Sequence, residues 1–371
     1  TSELHVISRL STSAFSGRLE QPGVSNTLDD MRKHLGATYA LSGKCTVIGD
    51  HVSLFVELAE VSGGRVVWAQ NLKGSVAGLF NPEDDMLSRI VAEVSSAVMK
   101  HELQRAQNHA LPTLEGFTLL MGAVGMMHHN SPANFEKPRQ LLEHLIDRSG
   151  RHPLPYTWLA NWYVLKVHRG WTTDIARDTN RALDCIKRAL DIESNHSLAL
   201  TIDGFVNTNL LGNVSEGQER YELALAQNPN ESLAWLFKGM SHAFKGEREG
   251  QTAMADTEQA LKLSPLDPMK YYYDSLAASA SIAAGDYQRA ITLALRSLKA
   301  NRMHTSTYRA LALAYSLAGD LENAQKVVTQ LLQLDSNFTV SKFSERFPGR
   351  VFDPNYVQKL AGALLDAGAP E

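Results

Sequence analysis

Residues 305–334 read TSTYRALALAYSLAGDLENAQKVVTQLLQL, and this stretch specifies the fold of most of the chain. Its first half carries four packing residues at helical spacing: Tyr308, Leu311, Ala312 and Tyr315. Its second half carries Ala324 and, seven residues later, Leu331. Positions at this spacing share one helix face. The stretch therefore predicts two amphipathic helices packed as a pair.

The same pattern recurs upstream. A small residue marks the second helix of five successive units, at Ala182, Gly217, Ala253, Ala290 and Ala324. The spacings are 35, 36, 37 and 34 residues, and small residues suit points where two helices cross closely. This period, together with the aromatic–Leu–small–Tyr spacing of the last unit, is typical of tetratricopeptide (TPR) repeats. The sequence predicts an all-α TPR superhelical solenoid, in which each unit buries its apolar face on its neighbours.

The array is predicted to cover residues 111–338. We expect six helix pairs, over residues 114–152, 156–195, 197–229, 232–266, 269–301 and 305–336. The most distinctive departure from the period is VHRGWTTD at residues 167–174, between the two helices of the second pair. Residues 339–371 are predicted to cap the open end of the array, with a last helix from Pro354 to Ala367.

Residues 1–110 predict an α+β module with a three- to four-stranded sheet and helices. A short strand is expected at 6–10 and a helix at 28–36. Three strands with period-two alternation follow, joined by turns at Gly49-Asp50 and at residues 62–64. Asn81-Pro82 then opens a long helix that runs to about Gln107.

The two parts together resemble a bacterial arrangement: a TolB-N-terminal-like module followed by TPR repeats. The stretches VISRLSTSAFSGR and HLGATYALSGKCTVIGDHVSLFVELAEVSGGRVVWAQ carry the module's pattern, and GWTTD, LSPLDP and AGAPE look like the TPR part. The matching positions are Gly36, Tyr39, Leu41, Gly43, Gly49, Asp50, Leu58, Trp68 and Ala69. Similar regions lie C-terminal to class III adenylate/guanylate cyclase domains or to OmpR-type winged helices of CadC/HilA-like regulators. The resemblance implies a regulatory or sensory arm of a signalling protein. Because the chain begins with Thr1 and lacks the module's first strand and helix, we expect a fragment.

Composition excludes several classes of protein. The net charge is -4, without Lys/Arg blocks, which argues against direct nucleic-acid binding by this region. Two cysteines cannot form a disulfide scaffold. The longest uncharged apolar run, residues 116–127, falls short of the roughly 20 residues that a membrane span needs. Two free cysteines and no visible signal peptide favour the cytoplasm; the periplasm is the alternative if an upstream membrane segment has been removed.

Candidate chemical groups have simpler structural interpretations. His128 and His129 are adjacent and point about 100° apart on a helix, which does not suit a shared metal. Glu83, Asp84 and Asp85 fit first-turn acids, and the Gly63-Gly64 pair fits a hairpin turn. Cys185 is expected to be buried, and His101 and His109 to lie on a solvated stretch. Of Tyr271, Tyr272 and Tyr273, one or two should pack inside. We therefore expect no enzyme activity, cofactor or metal; an enzyme hidden in the α+β part is a third hypothesis.

First helices of TPR pairs line the concave face. On the register adopted, groove positions include Thr201, Phe205, Asn209, Leu236, Met240, Phe244, Tyr272, Ser279, Arg309 and Leu313. The strongest candidates are Phe205, Asn209, Met240, Phe244, Tyr272 and Arg309. Such an apolar set predicts a partner segment, a helix of the same assembly or a small apolar ligand. With the register shifted by one residue, the set is largely core. A free-standing scaffold that binds peptides is the alternative to the signalling arm.

Overall fold

The computed structural model describes residues 31, 37–75, 85–108, 116–127, 132–264, 267, 269–345 and 353–371. The chain forms two compact regions, Thr1–His101 and Glu102–Glu371. The predicted strand at 6–10 and nearly all of the predicted helix at 28–36 lie outside the described residues. So do Glu83, Asp84, His109 and the pair His128-His129.

The first region contains a three-stranded antiparallel sheet in the order β1-β2-β3. The strands are β1 Tyr39–Ile48, β2 His51–Glu60 and β3 Arg65–Ser75. The left-handed φ of +62° at Gly49 makes the first hairpin turn, a conformation that glycine adopts without steric cost. Helix α1, Asp85–Asn108, places Ile90 against Val56 and Leu72 of the sheet. The predicted small sheet with a long following helix is confirmed.

The second region is built from helix pairs. The first helices of the six pairs are α2 Gly116–Met126, α4 Pro153–His168, α6 Ser197–Val206, α8 Ser232–Ala243, α10 Lys270–Ala283 and α12 Thr305–Leu317. Their second helices are α3 Pro132–Ser149, α5 Ile175–Ile192, α7 Val214–Gln227, α9 Gly250–Leu263, α11 Tyr287–Ala300 and α13 Leu321–Leu334. Two further helices follow, α14 Val340–Glu345 and α15 Pro354–Asp366. We number the pairs as units one to six. The predicted helical solenoid is confirmed.

A Gly-Asp dipeptide joins the two helices of units five and six. Gly319 has φ +85°, and a Cβ atom there would meet nothing within 4 Å, so the backbone conformation alone requires glycine. The following Asp320 caps α13, because its carboxylate accepts a hydrogen bond from the Asn323 backbone nitrogen at 3.2 Å. Asp286 caps α11 through the Arg289 nitrogen in the same way, at 3.0 Å. Each connection is therefore short and defined by local chemistry.

The recurring small residues lie where paired helices cross. Ala182, Ala253, Ala290 and Ala324 are all fully buried. Facing Ala253, Gly239 allows so close an approach that a Cβ atom there would lie 2.9 Å from the Ala253 carbonyl oxygen. The sequence rule for small residues thus has a direct steric cause.

Candidate partner-binding groove

The first helices of units two to six pack side by side and form one face of the array, here called the first-helix face. A row of aromatic rings crosses it from α4 to α12. Ring centroids lie 6.0 Å apart between His168 and Phe205, 4.2 Å between Phe205 and Phe237, 6.4 Å between Phe237 and Tyr272, and 6.1 Å between Tyr272 and His304. Stacked and edge-on ring contacts stabilise such arrangements beyond the area they bury. The row therefore joins units two to six along this face.

Two predicted groove residues belong to this row. Phe205, predicted to line an accessible groove surface, is only 6% exposed because its ring stacks on Phe237. Tyr272 is half-buried, and burial raises the pKa of its phenol. Thr201, Leu236 and Leu313 are buried as well, as the shifted register implied. Much of the expected groove lining is thus packing between first helices.

The connection between α4 and α5 supplies an arginine to this face. The Arg169 guanidinium carbon lies 4.7 Å from the Phe135 ring centroid and 4.9 Å from that of Trp171. Burial lowers the pKa of Arg169 to about 10, and the nearby phenol groups of Tyr271 and Tyr272 act in the opposite direction. We call Phe135, Arg169, Trp171, Tyr271 and Tyr272 the aromatic–arginine cluster. It gathers residues from units one, two and five.

A buried histidine lies beside this cluster. His304, at the N-cap position of α12, is 7% exposed, and its Nδ1 atom is 2.8 Å from the Thr307 hydroxyl oxygen. Burial, together with the positive charges of Arg309 and Arg169, lowers the pKa of His304 to about 3. The imidazole is therefore neutral at physiological pH. Arg309, a predicted groove residue, also donates to the Ser306 hydroxyl at 2.7 Å.

Tyr271, Tyr272 and Tyr273 divide as their spacing predicted. Tyr273 is 1% exposed, and its hydroxyl lies 2.9 Å from the Ser232 hydroxyl of unit four. Tyr271 and Tyr272 are half-buried at the first-helix face, and burial raises the pKa of Tyr271 to about 12. One tyrosine thus holds two units together, and the other two remain partly accessible.

Asn209 lies in a segment that helical periodicity does not predict. Residues Asn207–Leu211 form a short π-helix, and the Asn209 side-chain nitrogen donates to the Phe205 carbonyl oxygen at 3.0 Å. The segment ends at Gly212, with φ +70°. Such π-helical turns are rare and often lie at functional sites. Helical periodicity alone carries no signal for one extra residue in a turn.

The last helix of the chain packs against α12 and against the C-terminal ends of α8 and α10. Met240 and Tyr356 pack against the same buried cluster, formed by Ala243, Ala253, Ala280 and Ala283. The Phe244 carbonyl oxygen accepts a hydrogen bond from the Asp353 backbone nitrogen at 3.3 Å. Of the predicted groove residues, Phe244 therefore contacts the N-cap residue of α15, and Met240 packs on the same alanine cluster as Tyr356. The segment predicted as a cap of the open end extends back to unit four.

An open cavity of about 1020 Å³ adjoins the N-terminal end of α15. Its polar and charged lining residues are Asn207, Asn213, Ser215, Glu216, Glu219, Arg220, Lys245, Arg248 and Asp353. Both signs of charge are present, and Arg220 already pairs with Glu216 at 2.7 Å. The cavity suits a polar segment with both charges rather than an apolar ligand.

Other candidate groups have structural roles. Cys185, expected to be buried, is half-buried, and its partial burial raises the pKa of the thiol to about 12, which keeps it protonated. The solvated position expected for His101 is wrong: His101 is 5% exposed, contacts Arg65, and has its Nδ1 atom 2.7 Å from the Tyr39 hydroxyl. Within the described residues, no cluster of three or more His, Cys, Asp or Glu side chains could hold a metal ion. No helix in that part of the chain is long and apolar enough to cross a membrane.

No protein-family model matches the chain. A search of curated proteins also finds no match. Among solved structures, the chain is similar to the APC/C hetero-tetramer Cut9-Hcn1, with a TM-score of 0.50 and 13% identity over 73% of this chain and 49% of that chain. It is also similar to the type IV pilus biogenesis factor PilW, with a TM-score of 0.41 and 19% identity over 57% and 90% of the two chains. A third similar structure is TTC0263, a TPR protein of Thermus thermophilus, with a TM-score of 0.38 and 17% identity over 51% and 92%. Likeness at this identity concerns the fold alone.

Proposed function

We propose that this region is a non-catalytic scaffold that binds a protein or peptide segment on its first-helix face. The aromatic–arginine cluster carries this proposal. Arg169, Trp171, Tyr271 and Tyr272 lie half-buried in one place, brought together from two units. Tyr, Trp and Arg are the residues that dominate binding energy at protein interfaces, above all where they are partly enclosed.

The charge pattern of the first-helix face favours a segment with acidic residues. Helices α4, α6, α8, α10 and α12 carry only two acidic residues, Asp203 and Asp274. Both are nearly buried and are paired with second-helix arginines: Asp203 with Arg220 at 3.1 Å and Asp274 with Arg296 at 2.6 Å. The charge carried by these five helices is therefore mainly cationic, and opposite charge steers association.

Selection from a displayed peptide library tests the proposal while leaving the identity of the partner open. We expect selected peptides to bind the wild-type chain and to lose roughly tenfold or more in affinity with Arg169→Gln or Tyr272→Ala, about 1.4 kcal/mol or more. Lys326→Ala is the matched control, because Lys326 is exposed on a second helix and pairs only with Glu322 among the described residues. Folded cluster variants that bind every selected peptide as wild type does would refute the proposal.

We further propose that the scaffold serves as a cytoplasmic regulatory arm of a bacterial signalling protein, either a cyclase or a transcriptional regulator. The resemblance of residues 1–110 to a TolB-N-terminal-like module supports this, as does the division into a sheet-containing region and a helical array. Binding would act by shifting populations of the output domain. The test adds a selected peptide to the product of the complete gene and measures cyclase and DNA-binding activity. A peptide that binds and leaves both activities unchanged would favour a free-standing adaptor.

A further inference from the structure

Helix α15 packs across units four to six, where it covers the C-terminal ends of α8 and α10 and apolar residues of unit six. Its apolar residues Tyr356, Leu360, Ala363 and Leu364 follow the spacing i, i+4, i+7 and i+8, which places them on one side of the helix. Leu360, Ala363 and Leu364 join the core cluster that contains Leu313 of α12. On the outer side, Leu365 is 46% exposed. The buried stripe is narrow, and the rest of the helix faces outward.

The surface beneath Tyr356 is made from small residues. Ala243, Ala280 and Ala283 are at most 5% exposed and provide room for a ring rather than contacts among large side chains. Gly246, with φ +66°, approaches so closely that a Cβ atom there would lie 2.8 Å from Tyr356 Cγ. The space accepts one aromatic side chain, and larger residues in place of these alanines and Gly246 would fill it. It is the geometry of an anchor pocket for a docked helix.

Polar contacts fix the direction of the docked helix but lie at exposed positions. Lys359 Nζ bonds to Glu247, which is 64% exposed, and lies 3.3 Å from the Tyr287 hydroxyl. The Asp353 nitrogen reaches the Phe244 carbonyl oxygen. Exposed ion pairs contribute little to stability, so the apolar stripe dominates the docking of α15. A helix of 13 residues is also too short to be stable alone in water, so docking and helix formation are coupled.

From this packing we infer that the surface of units four to six beneath α15 is a helix-binding groove, and that α15 is its built-in competitor. The partner that fits is an amphipathic helix with an aromatic residue, a lysine three positions later to meet Glu247, and leucines four and eight positions later. This inference rests on the proposed function and names the partner class for this surface. The partner binds when it replaces the α15 stripe, which is the helix-in-groove mode of recognition.

The test uses the full chain and a fluorescein-labelled peptide of residues 353–371. In the wild type, the tethered helix competes at an effective concentration of roughly millimolar, so peptide binding is weak. The Leu360→Glu/Leu364→Glu variant should release α15 and bind the peptide at least roughly tenfold more tightly. Leu365→Glu adds the same kind of charge on the exposed side of the same helix and should bind as weakly as wild type. Tyr356→Ala, which removes only the anchor ring, should fall between them.

Circular dichroism confirms that each variant retains its array. A folded Leu360→Glu/Leu364→Glu chain that binds no peptide would overturn the inference. So would a Leu365→Glu control that binds the peptide as tightly as the double variant does. Wild-type dimers that become monomers in the double variant would assign the groove to a second copy and also overturn it. The proposed function fails separately, because its test measures Arg169 and Tyr272 variants against library peptides at the aromatic–arginine cluster.

Discussion

Replacing Gly239 with alanine measures how closely the two helices of unit four cross. A Cβ atom at this position would lie 2.7 Å from Thr257 Cγ2 and 2.9 Å from the Ala253 carbonyl oxygen. The carbonyl belongs to the backbone of α9 and cannot rotate away, so we take the upper end of the overpacking cost, about 3 kcal/mol. Alanine's better helix propensity offsets about 1 kcal/mol of this. The expected net loss of unfolding free energy is about 2 kcal/mol.

Gly362 offers a matched control within α15. A Cβ atom there would meet nothing within 4 Å, so only the propensity effect remains. Gly362→Ala should therefore stabilise the chain by about 0.5–1 kcal/mol, opposite in sign to Gly239→Ala. Urea unfolding followed by far-ultraviolet circular dichroism gives both values, provided that the denaturant slopes are unchanged. A Gly239→Ala chain as stable as wild type would show that the crossing can relax and would refute the steric reasoning.

Three further predictions concern buried charge, buried imidazole and thiol reactivity. Arg296→Ala should lower the free energy of unfolding by about 2 kcal/mol, less than for a fully buried pair, because Asp274 is 1% exposed but Arg296 is 48% exposed; an unchanged urea midpoint would contradict this. The pKa of His304 is lowered to about 3 by burial, so below 6.5 the unfolded chain binds a proton that the folded chain does not. Wild type should therefore lose up to about 1.4 kcal/mol per pH unit as pH falls from 6.5 towards 3, and His304→Asn should lack this added slope in unfolding measured against pH. A thiol reagent at mildly alkaline pH should modify exposed Cys45 faster than half-buried Cys185, because burial raises the pKa of Cys185 to about 12; two equally fast thiols would contradict the raised pKa.

The helical array and the small sheet follow from the amino-acid sequence alone. Helix pairing depends on local features: a recurring small residue such as Ala253, and a Gly-Asp turn such as Gly319-Asp320. Each feature acts within one unit or between neighbours, so one period of sequence contains the information. The three strands were predictable for a similar reason, because residue alternation and short turns specify antiparallel hairpins.

Which apolar faces meet is determined at the level of tertiary structure. Periodicity shows that α15 has an apolar side but not that the helix, besides packing on unit six, also reaches back to Gly246 of unit four. It likewise places Arg169 in an insertion without showing that Tyr271, about a hundred residues away, lies near it. The buried position of His101 was missed because its contacts, Tyr39 and Arg65, come from the sheet. The hydrophobic effect that drives these contacts is non-directional, so shape and chain path select the partner, and neither can be read from local spacing.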